Sequence, residues 1–179
     1  MRSFILGLFL GAFLTSSVQA AELQICTNDK DFAAIMREHT DARIRATYIR
    51  ILQKAGVDVG MFSVCEIEHP LARILSVVKK DGRGMFALLL PSFMRSYSDT
   101  QLEGLIGHEV AHVVIGFRLF GGVAVEKQAD AKAAEWVGKD AVIAMLRAQE
   151  TELVRFPLEL RGAAADELHK RIDALSGAK

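Results

Sequence analysis

Apolar residues recur at helical spacing from Asp31 to Lys54: Phe32, Ile35 and Met36, then Ile44, Tyr48, Ile51 and Leu52. Repetition every three to four residues marks one face of an α-helix. Asn28 or Asp29 can cap its start, Gly56 stops it, and Thr40-Asp41 can divide it in two. The pattern then changes. Met61 to Ile67 and Leu71 to Lys79 are short and rich in β-branched residues, and Met85 to Leu90 is an apolar run ended by Pro91. Asp81-Gly82-Arg83-Gly84 reads as the turn of a hairpin joining the last two strands. After Tyr97 the spacing is helical again, with segments near 99–117, 123–137, 140–155 and 164–175. Helical blocks on either side of a small sheet predict an α+β fold.

The N-terminus has a pattern of its own. Arg2 is followed by an apolar run from Phe4 to Leu14, then by Thr15-Ser16-Ser17-Val18-Gln19-Ala20. A positive start, a short apolar stretch and a small residue at the end predict a secretory signal peptide over residues 1–20. A retained membrane anchor is the alternative, but a spanning helix needs about 20 apolar residues and polar ones begin at Thr15. Residues 21–179 then form one exported domain, periplasmic or secreted, with no transmembrane segment once the signal is removed. In an oxidising compartment Cys26 and Cys65 can pair as a disulfide, which the chain-entropy model credits with about 3–4 kcal/mol. Two unpaired buried thiols are the alternative.

Composition narrows the function classes. The 179 residues carry 22 Lys+Arg against 22 Asp+Glu, a formal charge of zero, with 51% hydrophobic residues. That is an ordinary globular balance, and it lacks the basic excess with which nucleic-acid binders neutralise phosphates.

The chemistry lies in the segment near 99–117. Ser98 can cap that helix, with Gln101 completing a capping box. Inside it stands His108-Glu109-Val110-Ala111-His112, an HExxH motif. Residues four apart sit one above the other on a helix, so both imidazoles can face one metal ion, while Glu109 can reach a metal-bound water as general base. Gly104 lies on the same stripe, and its missing side chain is expected to leave space beside the metal. Catalytic zinc takes three protein ligands and a water, so a third ligand is needed. Past the Gly121-Gly122 turn, Glu126 and Asp130 again lie four apart. Glu126 is the expected third ligand, and Asp130 is expected to accept a hydrogen bond from the far ring nitrogen of a ligand histidine, His108 in particular. Two solvated carboxylates on a helix surface are the alternative for that pair. His39 and His69 belong to no such pattern and are read as structural or surface residues.

HExxH on one helix followed by Glu126-Lys127-Gln128-Ala129-Asp130 on the next resembles the gluzincin metallopeptidases. The wording from Leu102 to His112, with Ala134-Glu135-Trp136-Val137-Gly138, resembles the HtpX and CAAX-prenyl-protease type, peptidase family M forty-eight. The likeness covers roughly residues 71 to 175. It implies a zincin-like helical domain with a small antiparallel β-sheet, the edge strand of which precedes the HExxH helix. Met85–Leu90 holds that position, and substrate would add to it as a further strand. The family also has an Arg-Ile pair near the C-terminus, matched by Arg171-Ile172. Arg171 is then either a stabiliser of the tetrahedral oxyanion or an ordinary surface arginine. The sequence departs from the family in three places: far fewer residues separate His112 from Glu126, the Asn-Ala-Phe-Ala-like segment before the edge strand is absent, and the family's His-Pro position before Arg-Ile falls near Ala165, with His169 out of register.

The expected protein is an exported zinc metalloendopeptidase with one Zn²⁺ per chain, held by His108, His112 and Glu126. It would act on protein or peptide substrates, bind no nucleic acid, and could have a protein partner in the cell envelope. A non-enzymatic zinc-containing binding or quality-control protein of the same fold is the alternative, and intact Glu109 argues against it because a pure binder needs no general base. Chance occurrence of the motif would leave no zinc at all.

Overall fold

The computed structural model describes residues 36–38, 41–67, 73–78, 84–116 and 122–177. The expected signal peptide, Cys26, His39, His69 and the turn at 81–83 lie outside them. The stretch 21–179, expected as one domain, contains two compact units that divide between Ser96 and Tyr97. Helices predominate, with one small sheet. Among the described residues no helix is long and apolar enough to cross a membrane.

The first unit carries strand β1 (Met36–Glu38), helix α1 (Ala42–Lys54) and strands β2 (Phe62–Ile67), β3 (Arg73–Val78) and β4 (Gly84–Pro91). Asp41 starts α1, its carboxylate accepting the backbone N–H of Arg43 at 2.9 Å and of Ile44 at 3.4 Å. This is the usual satisfaction of otherwise orphaned donors at a helix start. Ile44, Ile51 and Leu52 are fully buried on its inner face. Met36 had been expected to belong to a helix, but Met36–Glu38 pairs antiparallel with β2, Met36 opposite Ile67 and Glu38 opposite Cys65. Ladder pairing satisfies the backbone groups along the open side of β2, and over three residues this outweighs a weak helical period.

The sheet order is β1-β2-β4-β3. β3 and β4 form the expected antiparallel pair. β2 and β4, however, run parallel, with Phe62 opposite Phe86 and Ile67 opposite Pro91. The sheet is therefore mixed rather than antiparallel. It also places β4 in the interior, with β1 and β3 as the outer strands among the described residues. The expectation that Met85–Leu90 offers an edge for an added substrate strand is overturned, because both sides of its backbone are already paired. The reason is visible in composition: Ala87, Leu88, Leu89 and Leu90 are all buried. A strand covered on both faces reads as a continuous apolar run, not as an alternation. Cys65, on β2, is fully buried and disulfide-bonded.

The second unit is a helical assembly of α2 (Asp99–Val114), α3 (Gly122–Val137), α4 (Lys139–Glu152) and α5 (Leu158–Ser176). The capping box forms as the sequence predicts: the Ser98 hydroxyl accepts the Gln101 N–H at 3.3 Å, and the Gln101 side chain accepts the Ser98 N–H at 2.8 Å. Leu102, Leu105, Ile106, Val110 and Ala111 are fully buried, so α2 is the central helix of its unit. It packs against both α3 and α4. Gly104 explains the second contact. A Cβ there would stand 2.1 Å from the Ala141 carbonyl oxygen and 2.8 Å from the Met145 Cβ. The space left by the missing side chain is therefore filled by the α4 backbone, and is not kept open beside a metal as expected. Between α3 and α4 the chain turns on Gly138 alone, at φ +87°, a conformation that costs a side-chain-bearing residue energy. α5 then packs on α3 and α4.

Candidate metal centre

The centre is built where α2, α3 and α5 bring polar side chains together within an apolar unit. The 3.6-residue period of α2 stacks His108 and His112, whose rings meet edge to face at 4.6 Å between centroids. From α3, Glu126 reaches both: Oε2 lies 3.1 Å from His108 Nε2, and Oε1 lies 3.5 Å from His112 Nε2. The two histidine Nε2 atoms are 3.1 Å apart. Ligand atoms of the three residues all lie within 4.8 Å of one another, a group that can hold a metal ion. The spacing itself is a test of fit. Donors 2.0–2.1 Å from a tetrahedral zinc are separated by about 3.3 Å; His108 Nε2 lies 3.1 Å from both His112 Nε2 and Glu126 Oε2, while the other carboxylate oxygen, Oε1, is the one 3.5 Å from His112 Nε2.

Behind the ligands, Asp130, one turn along α3 from Glu126, accepts a hydrogen bond from His108 Nδ1 at 2.8 Å. A carboxylate can only accept, so Nδ1 carries a proton, and Nε2 is the nitrogen that faces Glu126 and His112. Arg171, from α5, completes the arrangement. Its Nε donates to Asp130 Oδ2 and its Nη2 to Asp130 Oδ1, each at 2.7 Å, and its Nη1 lies 3.3 Å from Glu126 Oε2. Nη2 also lies 3.3 Å from His108 Nδ1. Both of those are donors, and they sit close because both converge on Asp130 Oδ1. Arg171 is only 5% exposed and Asp130 only 1%. The alternative of a surface arginine is thus excluded by the structure, as is that of solvated carboxylates for Glu126 and Asp130.

The electrostatics separate the two glutamates. Burial pushes the Glu109 carboxyl upward, only partly opposed by the neighbouring histidines. Burial would raise Glu126 too, but hydrogen bonds to His108 and His112 hold it well below the usual carboxylate range. Glu126 is thus favoured as the anion, whereas the Glu109 carboxyl holds a proton more readily than an ordinary one. For Asp130, burial is outweighed by the hydrogen bond from Arg171 and then by His108, and the net shift is downward. Burial disfavours the Arg171 cation, yet Asp130 more than compensates.

Of the residues expected around the metal from the sequence, His108, His112, Glu126 and Asp130 meet here, and Glu109 is buried beside them, within reach of the charges of both histidines and Glu126. Glu167 was not foreseen. It lies one turn before Arg171 on α5, is buried, and its Oε1 has no hydrogen-bond partner among the described residues. Burial pushes its carboxyl upward, Arg171 pulls it down, and Glu126 and Asp130 raise it further. The only sequence signal for it is its spacing of four from Arg171, which is common on any helix surface. Comparison with known protein families, with curated proteins and with solved structures finds no match.

Proposed function

We propose that this chain is an exported zinc metalloendopeptidase of gluzincin type, with a zincin-like helical unit. The observation that carries the reading is the convergence of His108, His112 and Glu126, whose ligand atoms all lie within 4.8 Å of one another, with Glu109 next in chain to His108. Two imidazoles and one carboxylate are the donor set of catalytic rather than structural zinc, which more often has thiolates and no open position.

When bound, zinc would lower the pKa of its water to about 7 and polarise the scissile carbonyl. The rest falls to the chain. Glu109, its carboxyl raised by burial, accepts the proton of the attacking water and delivers it to the departing amine, which needs a carboxyl that can be held in either state. Asp130 fixes the His108 ring and tautomer. The buried apolar side chains of Leu105, Ile106 and Val110 on the same helix limit water around the ligands and strengthen the local charges. The pattern of residues 1–20 supports export, and the resemblance to family M forty-eight supports a protein or peptide substrate.

The test is cleavage of an unfolded protein such as casein by the zinc-loaded chain. Hydrolysis that disappears in Glu109→Gln, while zinc is retained, is the expected result. Cleavage by that variant at the unchanged rate would refute the mechanism.

A further inference from the structure

We infer that Arg171 is a positioning residue for the metal ligands, acting through Asp130, and that the C-terminal helix is therefore part of the metal centre. The inference rests on the zinc reading given above. Three observations support it. The guanidinium meets the Asp130 carboxylate as a two-bond fork, Nε to Oδ2 and Nη2 to Oδ1, both at 2.7 Å. Such paired, charge-assisted bonds fix the plane of a carboxylate as well as its place. The orientation matters because Asp130 Oδ1 is also the acceptor of the His108 Nδ1 proton. A rotation of that carboxylate would release the ring that presents Nε2 to the metal. The third nitrogen, Nη1, lies 3.3 Å from Glu126 Oε2, so the same side chain restrains two of the elements that must converge.

This also settles how Arg171 acts. The sequence allowed it to stabilise a substrate oxyanion, which needs donors free to meet the developing charge. Here Nε, Nη1 and Nη2 all face Asp130 or Glu126, in a residue 5% exposed. On its own helix the neighbouring charged group is Glu167, whose charge further favours the cation. Arg171 is thus surrounded by carboxylates from α3 and α5 and binds the two helices together at the height of the ligands.

The experiment is a double-mutant cycle read as zinc affinity. Zinc dissociation constants are measured by competition with a chromogenic chelator for the full chain, Arg171→Met, Asp130→Asn and the double variant. Circular dichroism confirms that each is folded. Arg171→Met should weaken zinc binding by roughly 10–100-fold, the usual effect of losing such an outer partner. In the Asp130→Asn background the same change should have little further effect, because the residue through which it acts is already altered. Arg171→Lys, which keeps the cation but lacks the fork, provides the same test if Arg171→Met does not fold, and should also bind zinc more weakly. Wild-type affinity in the folded variants, or an equal loss in both backgrounds, would overturn the inference while leaving the peptidase reading intact. A full chain that takes up no zinc would remove both.

Discussion

His108 Nδ1 and Asp130 Oδ1 lie 2.8 Å apart, joining α2 to α3 across 22 residues of chain. One hydrogen bond thereby orients the first histidine of an HExxH pair, and the helix that orients it also carries Glu126, the third member of the group that could hold a metal ion. The motif and its completing residues are a single piece of helix packing.

Zinc binding should therefore displace a proton. Burial by itself pushes the His108 imidazole down, but its hydrogen bonds to Asp130 and Glu126 outweigh this and raise it to about 9 from 6.5. A group raised on folding stabilises the metal-free protein fully below about pH 6.5, and that contribution is lost as pH rises through about 9. The melting temperature of the zinc-free chain should fall between about pH 7 and pH 10. Zinc addition near pH 7.5 should release one proton or more, because the metal needs the lone pair that the proton holds and also acidifies its own water. Calorimetric titrations in buffers of different ionisation heat measure this; a heat independent of buffer would contradict it.

Glu109→Gln should retain zinc with near-wild-type affinity and lose activity by about 10²–10⁴-fold, the usual contribution of a positioned acid–base group. Rate measurement on zinc-loaded protein, with metal content determined on the same sample, checks it. Loss of metal together with activity would instead make Glu109 a ligand.

Gly104→Ala should destabilise the chain although alanine is the better helix former by about 1 kcal/mol. The added Cβ would fall 2.1 Å from the Ala141 carbonyl oxygen, and overpacking of this kind costs about 1–3 kcal/mol or more. Chemical denaturation of the two proteins measures the difference, and an unchanged or raised midpoint would show that α4 does not rest on that glycine.

The centre was legible in the sequence because its parts obey one short-range rule. His108 and His112, and again Glu126 and Asp130, are four apart on their helices, and Ser98 with Gln101 marks where the first helix begins. What depends on other elements was not legible. Gly104 could be seen as a gap, but only the approach of Ala141 shows what fills it. Arg171 could be placed on a terminal helix, but its burial against Asp130 comes from the packing of α5 on α3. In the sheet, Met36–Glu38 is held by backbone pairing, to which side-chain pattern is nearly blind. The interior position of β4 was a different case. The unbroken run from Met85 to Leu90 already had the composition of a strand covered on both faces, and the resemblance to a family with an edge strand there pointed the other way.

The most direct measurement is the zinc content of the purified chain, by elemental analysis after dialysis, beside a Glu126→Ala variant. About one zinc per chain in the wild type and clearly weaker retention in the variant is the expected result, since a catalytic site takes three protein ligands and the variant keeps two. A wild-type chain that holds no zinc, even after refolding with the metal, would contradict the account.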